Sequence, residues 1–203
     1  MFVGALLLAA CSRNAVPPAS PSPYPAPRTA PSTLPAVPAH VGPRSPAVSD
    51  AELESLWGRQ LMVPVDGVAR HSLHSDYAAK RGDGIHGALD ILAPRSTAVL
   101  AADDCIIGRL STGPAGGITI YASDPTLQFV YYYAHLERYR RGLGVGDRVA
   151  KGSVIGYVGT TGNAPPDTPH LHFQVMKRSA GRVWWTGPAI NPISFFAFDG
   201  LRP

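Results

Sequence analysis

The sequence predicts an all-β domain, mainly antiparallel, folded as a β-sandwich or partly open barrel. Three observations carry that expectation. Short runs rich in β-branched and aromatic residues recur through the second half of the chain, and Gly or Pro clusters separate most of them. No alternation of strands with helix-length segments appears, so parallel crossovers have nothing to run through. The 203 residues, 45% hydrophobic with 21 each of Gly and Pro, supply one domain of ordinary size plus tails. A net charge of +4 without any basic block provides no footprint for nucleic acid.

Taken in order, residues 1–10 are an apolar run of signal-peptide length ending in small residues. That run is far short of the roughly 20 residues a bilayer span needs, and it is expected to direct export. Leu8-Ala9-Ala10-Cys11 resembles the bacterial lipobox, which implies cleavage before Cys11 and a lipid on its thiol as a membrane anchor. The other reading is a buried strand with a Cys11–Cys105 disulfide. The neighbouring segment opposes it, because eleven prolines lie between Ala15 and Val48, with almost no large apolar residue. Such a stretch cannot bury a core and favours extended polyproline backbone. Residues 11–48 are therefore expected to be a lipidated, disordered tether, whose thirty or so residues at about 3.1 Å each reach on the order of 100 Å. His40 in it is solvated, and Cys105 is left as an unpaired, buried thiol.

Residues 49–63 begin with Ser49-Asp-Ala-Glu52, a capping-box signature, followed by Leu53, Leu56, Trp57 and Leu61 at helical spacing. A short amphipathic helix to about Leu61 is predicted. Residues 64–203 form the main domain, opened by a strand broken by a turn over 62–68. Further strands are expected at 97–102, 105–111, 117–122, 127–135, 153–158, 170–177 and 182–185.

Four of the seven histidines fall, with one aspartate, into a pattern that carries chemistry. His86 and Asp90 flank Gly87 in a loop-and-strand segment. In extended backbone they would lie about 13 Å apart, too far for one metal ion, so the chain must fold over between them, and Gly87 permits it. His170 and His172 pose the opposite geometry: an i, i+2 pair on a strand puts both rings on one face while Leu171 and Phe173 point to the core. His135 ends the run from Phe129, and strict alternation places it on one face with Phe129, Tyr131 and Tyr133. Two imidazoles and a carboxylate would hold zinc with its fourth position open to water, and two imidazoles would remain for proton transfer. His71 and His74 have no such setting and are expected at the surface.

These stretches form an ordered set: Gly84-Ile-His86-Gly-Ala-Leu-Asp90, Tyr133-Ala-His135-Leu, Gly146-Asp-Arg-Val-Ala-Lys-Gly152 with Gly156, Gly159 and Gly162, and Pro169-His-Leu-His172-Phe. The set resembles the lysostaphin-type zinc endopeptidases of peptidoglycan. The resemblance covers about 64–196, and Asn191-Pro192 is similar to the segment that closes those domains. It departs at Asp104-Cys105, where glycine often follows the acidic residue. The resemblance implies the lysostaphin-type fold, with His86, Asp90 and His172 as Zn²⁺ ligands and His135 and His170 as the unliganded catalytic pair. It also implies peptidoglycan stem peptides as substrate. With the export signal and lipid, it places the chain in the cell envelope at an outer membrane facing the periplasm.

Two alternatives belong to other classes. A non-catalytic wall-binding or amidase-activating module of the same fold would lack some of the five site residues, and all five are present. A biotinyl- or lipoyl-type carrier would display a lysine on a hairpin, a context that neither Lys151 nor Lys177 has.

Overall fold

The structure, a computed structural model, describes residues 48–82 and 84–197. The expected export signal, Cys11 and all but the last residue of the tether lie outside them. Helix α1 (Asp50–Gly58) begins with the capping box: the Ser49 hydroxyl accepts from the Glu52 N–H at 3.3 Å, and the Glu52 carboxylate accepts from the Ser49 N–H at 2.8 Å. The helix buries Leu53, Leu56 and Trp57. It stops three residues earlier than its apolar spacing suggests, because Gln60 adopts a left-handed conformation (φ 49°). Leu61 is then buried as a bridge to Phe196. The strand expected over 62–68 is also absent. Pro64 has no N–H to pair, Gly67 turns at φ 74°, and only Val65 bridges, to Val99.

Eleven strands follow among the described residues: β1 (Lys80–Arg81), β2 (Gly84–Ile85), β3 (Leu89–Leu92), β4 (Ala98–Leu100), β5 (Cys105–Gly113), β6 (Gly117–Ser123), β7 (Phe129–Tyr139), β8 (Arg148–Val149), β9 (Val154–Val158), β10 (His170–Lys177) and β11 (Ala189–Ile190). β1 and β2 form a separate hairpin. The rest form one antiparallel sheet in the order β11-β10-β7-β6-β5-β8, with β3 on β10, β9 on β7 and β4 on β9. The path has two ends and does not close into a barrel among the described residues. The all-β, antiparallel expectation stands, in its partly open form.

Strand β7 organises this sheet. It pairs with β10 through Ala134, and β9 takes over that side from Leu136. His135 sits at the handover. The core-facing side of the sheet is apolar: Tyr131, Tyr133, Leu171, Phe173, Val175, Ile120 and Ile107 pack with Leu56, Trp57, Val99, Ile155 and Phe196. A buried polar clamp ties the end of α1 to this layer, the Asp103 carboxylate accepting from Arg59 Nε at 2.6 Å and from the Tyr131 hydroxyl at 2.8 Å. At Asp104-Cys105 the chain bends without glycine, and the Asp104 carboxylate accepts from the Lys151 N–H at 2.8 Å. Cys105 is free and buried, and burial pushes its thiol pKa up to about 12.

The strand expected at 182–185 is not formed. Those residues are turns between β10 and β11, in which Ser179 N–H bonds the Trp184 carbonyl at 3.1 Å. The β-propensity of Val183-Trp184-Trp185 is outweighed by packing of the indoles on the sheet. A Cβ on Gly108 of β5 would come within 2.4 Å of the Trp184 ring.

Candidate metal and catalytic centre

Three strands bring the site together on the face of the sheet opposite the core. β3 and β10 pair so that Asp90 stands directly across from His172. Opposed residues of an antiparallel pair project to the same side. His170, two residues before His172, shares that side, while Leu171 and Phe173 are fully buried beneath. His86 enters from the β2–β3 connection. Gly87, with φ 68°, folds the backbone there, as the four-residue separation from Asp90 requires.

The result is a tight triangle. His86 Nε2 lies 3.2 Å from Asp90 Oδ1 and 3.1 Å from His172 Nδ1, and His172 Nδ1 lies 2.9 Å from Asp90 Oδ1. Ligand atoms of a tetrahedral zinc at about 2.0–2.1 Å stand roughly 3.3–3.4 Å apart, so this donor set fits a zinc ion with little movement. Among the described residues these three are the only such group. Burial would raise the Asp90 carboxyl, but the His172 hydrogen bond and the imidazoles of His172, His86 and His170 hold it below the usual carboxylate range.

His135 reaches the site by another route. Along β7 the pairing with β6 passes from Tyr133↔Ile120 to Leu136↔Ile118, three residues on β7 against two on β6. The extra residue is a bulge, and His135 occupies it at φ 58°. The strict alternation expected for this run therefore fails: Tyr131 and Tyr133 face the core, and the bulge turns His135 over to the opposite face. Its ring centroid lies 4.9 Å from that of His170 and 5.7 Å from that of His172. Thr161 secures the bulge: its hydroxyl donates to the Leu136 carbonyl at 2.7 Å and accepts from the Ile118 N–H at 2.9 Å.

Backbone carbonyls fix the protons of both remaining imidazoles. His135 Nδ1 is 2.8 Å from the Thr161 carbonyl oxygen, and His170 Nδ1 is 2.9 Å from that of Thr168. A carbonyl only accepts, so each neutral ring carries its hydrogen on Nδ1 and keeps an Nε2 lone pair. Burial, with the nearby His170 and His172, lowers the His135 pKa against the opposing Thr161 bond. A cavity of ≈ 430 Å³ opens over all five residues, lined also by Arg81, Asn163 and Thr168. His71 and His74 are exposed and line no part of it.

Three contributors escape a reading of the sequence. Asp76 stands behind the triangle: one oxygen lies 3.0 Å from His86 Nδ1 and the other accepts from the Asp90 N–H at 3.3 Å. Nothing in its spacing marks it. Thr161 lies within the Gly159-Thr-Thr-Gly162 segment, and that segment alone gives it no role. Arg81 on the β1–β2 hairpin donates to the second Asp90 oxygen at 3.3 Å.

The sequence profile described as Peptidase family M23 matches residues 84–192, more than half of the chain. The chain belongs to peptidase family M23. The matched span contains all five site residues and ends at the Asn191-Pro192 segment. An L-Ala–D-Glu endopeptidase of Bacillus subtilis is 32% identical to the M23 chain over 124 residues, 57% of this chain and 37% of that protein. A peptidoglycan DD-endopeptidase of Vibrio cholerae is 32% identical over 91 residues, 45% of this chain and 20% of that protein. The chain thus covers well under half the length of either relative. In fold, the catalytic domain of lysostaphin from Staphylococcus simulans matches with a TM-score of 0.50 at 26% identity, over 70% of this chain and 95% of that domain.

Proposed function

We propose that this chain is a zinc-dependent endopeptidase that hydrolyses peptide crosslinks of bacterial peptidoglycan. One observation carries the reading: a closed triangle of two imidazoles and a carboxylate stands beside two further imidazoles whose Nδ1 atoms are held by backbone carbonyls. His86 through Nε2, Asp90 through Oδ1 and His172 through Nδ1 would hold the ion, and bound zinc supplies a Lewis acid that polarises a carbonyl and acidifies a water near pH 7. Two relatives named as endopeptidases, one of them for peptidoglycan, support the substrate class.

The chain's own residues then handle the proton. One of His135 and His170 accepts it at Nε2 from the attacking water as the new C–O bond forms. The C–N bond breaks, and the leaving nitrogen receives a proton from an imidazolium. The partner ring, protonated at Nε2 as well as at Nδ1, donates from Nε2 to the charge developing on the carbonyl oxygen. Each ring holds its Nδ1–H on a backbone carbonyl throughout, so Nε2 is the only exchanging atom. Among the described residues no glutamate lines the cavity, and the imidazole pair takes the role of base.

The same reading extends to location. An apolar leader over 1–10, an acylated Cys11 and a proline-rich tether would export the domain and hold it at a membrane within reach of the wall, where interpeptide crosslinks are the accessible bonds. Metabolic labelling with a fatty acid should mark the wild type and not Cys11→Ala. Activity is tested by digesting purified sacculi with the zinc-loaded protein and identifying the fragments by mass spectrometry. Crosslinked dimers should be converted to monomers, and a chelator should stop the conversion. Intact sacculi with stoichiometric zinc bound would sink the proposal.

A further inference from the structure

The site face does not end at His172. Gln174 of β10, Tyr132 of β7, Tyr121 of β6 and Arg109 of β5 are direct cross-strand partners in one row. All therefore project to the side that carries His172. The rings form a continuous path: Tyr132 is 6.0 Å from His172, Tyr121 is 4.5 Å from Tyr132, and Trp185 is 6.0 Å from Tyr121, centroid to centroid. Arg109 closes it. Its guanidinium carbon lies 4.4 Å from the Trp185 ring centroid and 5.7 Å from that of Tyr121.

Among the described residues no carboxylate pairs with Arg109, and its one hydrogen bond goes to the neutral Ser111 hydroxyl at 3.3 Å. Stacking on aromatic faces fixes the guanidinium plane and leaves N–H groups on its edge, the geometry that receives a carboxylate bidentately. The loop that supplies Trp185 is itself anchored, since the adjacent Trp184 lies on Gly108, where no side chain fits, and stacks edge-on to Trp185 at 5.5 Å. Glycine there, in a β5 bulge beside Arg109, makes room for the loop.

We infer that Arg109, held between Trp185 and Tyr121, is a substrate subsite for a free carboxylate of an extended peptide. The inference rests on the peptidoglycan reading for the nature of that peptide. Arg109 lies three strands from Gln174, about 14 Å at a 4.8 Å spacing, and Gln174 is two residues along β10 from His172, so Arg109 and His172 are about 16 Å apart, the reach of about five extended residues. The aromatic path between them supports the intervening backbone. A stem peptide, short and rich in free carboxylates, has the length and the charge for it.

The test uses the full-length, zinc-loaded protein and a crosslinked stem-peptide dimer in two forms, with free carboxylates and with those carboxylates amidated. Turnover and equilibrium binding are measured for each. The wild type should bind and cleave the carboxylate form about 10- to 100-fold better than the amide, mostly in KM, the scale of a hydrogen-bonded charge. Arg109→Gln should remove that preference, and Arg109→Lys should restore part of it. Cleavage of both forms without preference would overturn the subsite and leave the peptidase reading intact. Preferential, Arg109-dependent binding without cleavage would do the reverse. Equal binding and no cleavage would remove both. A Trp185→Ala loss confined to peptide-free glycan strands, with Arg109→Gln silent, would overturn the carboxylate assignment in favour of sugar stacking.

Discussion

The three donor residues and the two proton-handling residues share one cavity but are held by different means. Asp90 and His172 are locked by strand register, each across from the other on a ladder with a fully buried underside. His135 and His170 are oriented by carbonyls of the segment between β9 and β10, and His135 depends on a bulge as well. A ladder with a buried face fixes position strongly, because a one-residue slip would turn the apolar side to water. His170 shares that ladder, opposite Leu92, and takes only its proton placement from the loop, whereas His135 sits in the bulge off the ladder and is more lightly held. Metal retention and turnover should therefore separate under mutation.

The largest effects test that separation directly. His86→Ala or Asp90→Ala should lose both zinc and activity, read by metal content after dialysis and by cleavage of crosslinked peptide. His135→Ala should keep zinc and lose about 10²- to 10⁴-fold in kcat, the usual worth of a general acid or base. A folded His135→Ala protein without metal would break the comparison. Asp76→Asn sharpens it from the metal side. The amide can still accept the Asp90 N–H, but the charge behind His86 is gone, so zinc affinity measured against a chelating dye should fall about 10- to 100-fold.

Much of this was legible in the chain because it depends on local pattern. The i, i+2 histidines on a strand, the required fold-over at Gly87 and the antiparallel class all follow from periodicity and glycine placement. What escaped depends on pairing between distant segments. Alternation along Phe129–His135 predicts His135 beside Tyr133, and only the β6 register reveals the extra residue that turns it to the other face. Asp76 is silent for the same reason: its partners are ten and fourteen residues away and meet it through a turn. Val183-Trp184-Trp185 reads as strand from composition and becomes a loop because the indoles find a glycine on β5 to lie on.

A middle-sized effect probes the bulge. Thr161→Val keeps the carbonyl that holds His135 Nδ1 but strips the hydroxyl from Leu136 O and Ile118 N, at a cost of about 1–3 kcal/mol for groups left unpaired. Turnover should fall with zinc affinity unchanged, and Thr161→Ser should recover most of the loss. Loss of zinc in Thr161→Val would show that bulge and ladder are coupled. The acid response of the metal-free protein separates the regions in another way. His135 has a folded pKa below the ordinary imidazole value, so its share of stability is present above that value and is lost as pH falls through the folded one. Denaturant midpoints should decline below about pH 6.5, the unperturbed histidine value, less steeply in His135→Ala than in the wild type.

The smallest effect concerns the face that takes no part in the chemistry. The Ser49 and Lys177 interactions hold the Glu52 carboxyl at about 2, with the Ser49 backbone N–H as the largest cause and Lys177 next. A depressed carboxyl contributes stability above its unfolded value, lost as pH falls toward the folded one. Ser49→Ala removes the cap hydroxyl and keeps the N–H, so it should cost about 1 kcal/mol with nearly the same pH profile. Lys177→Met removes the second cause, an amine 2.9 Å from the carboxylate, and should flatten the decline between pH 5 and 2, about the range over which a depressed carboxyl titrates. Neither change should alter zinc affinity or turnover, because α1 packs on the core side of the sheet, away from His172. A change in either with Ser49→Ala would mean that the two faces of the sheet are not independent.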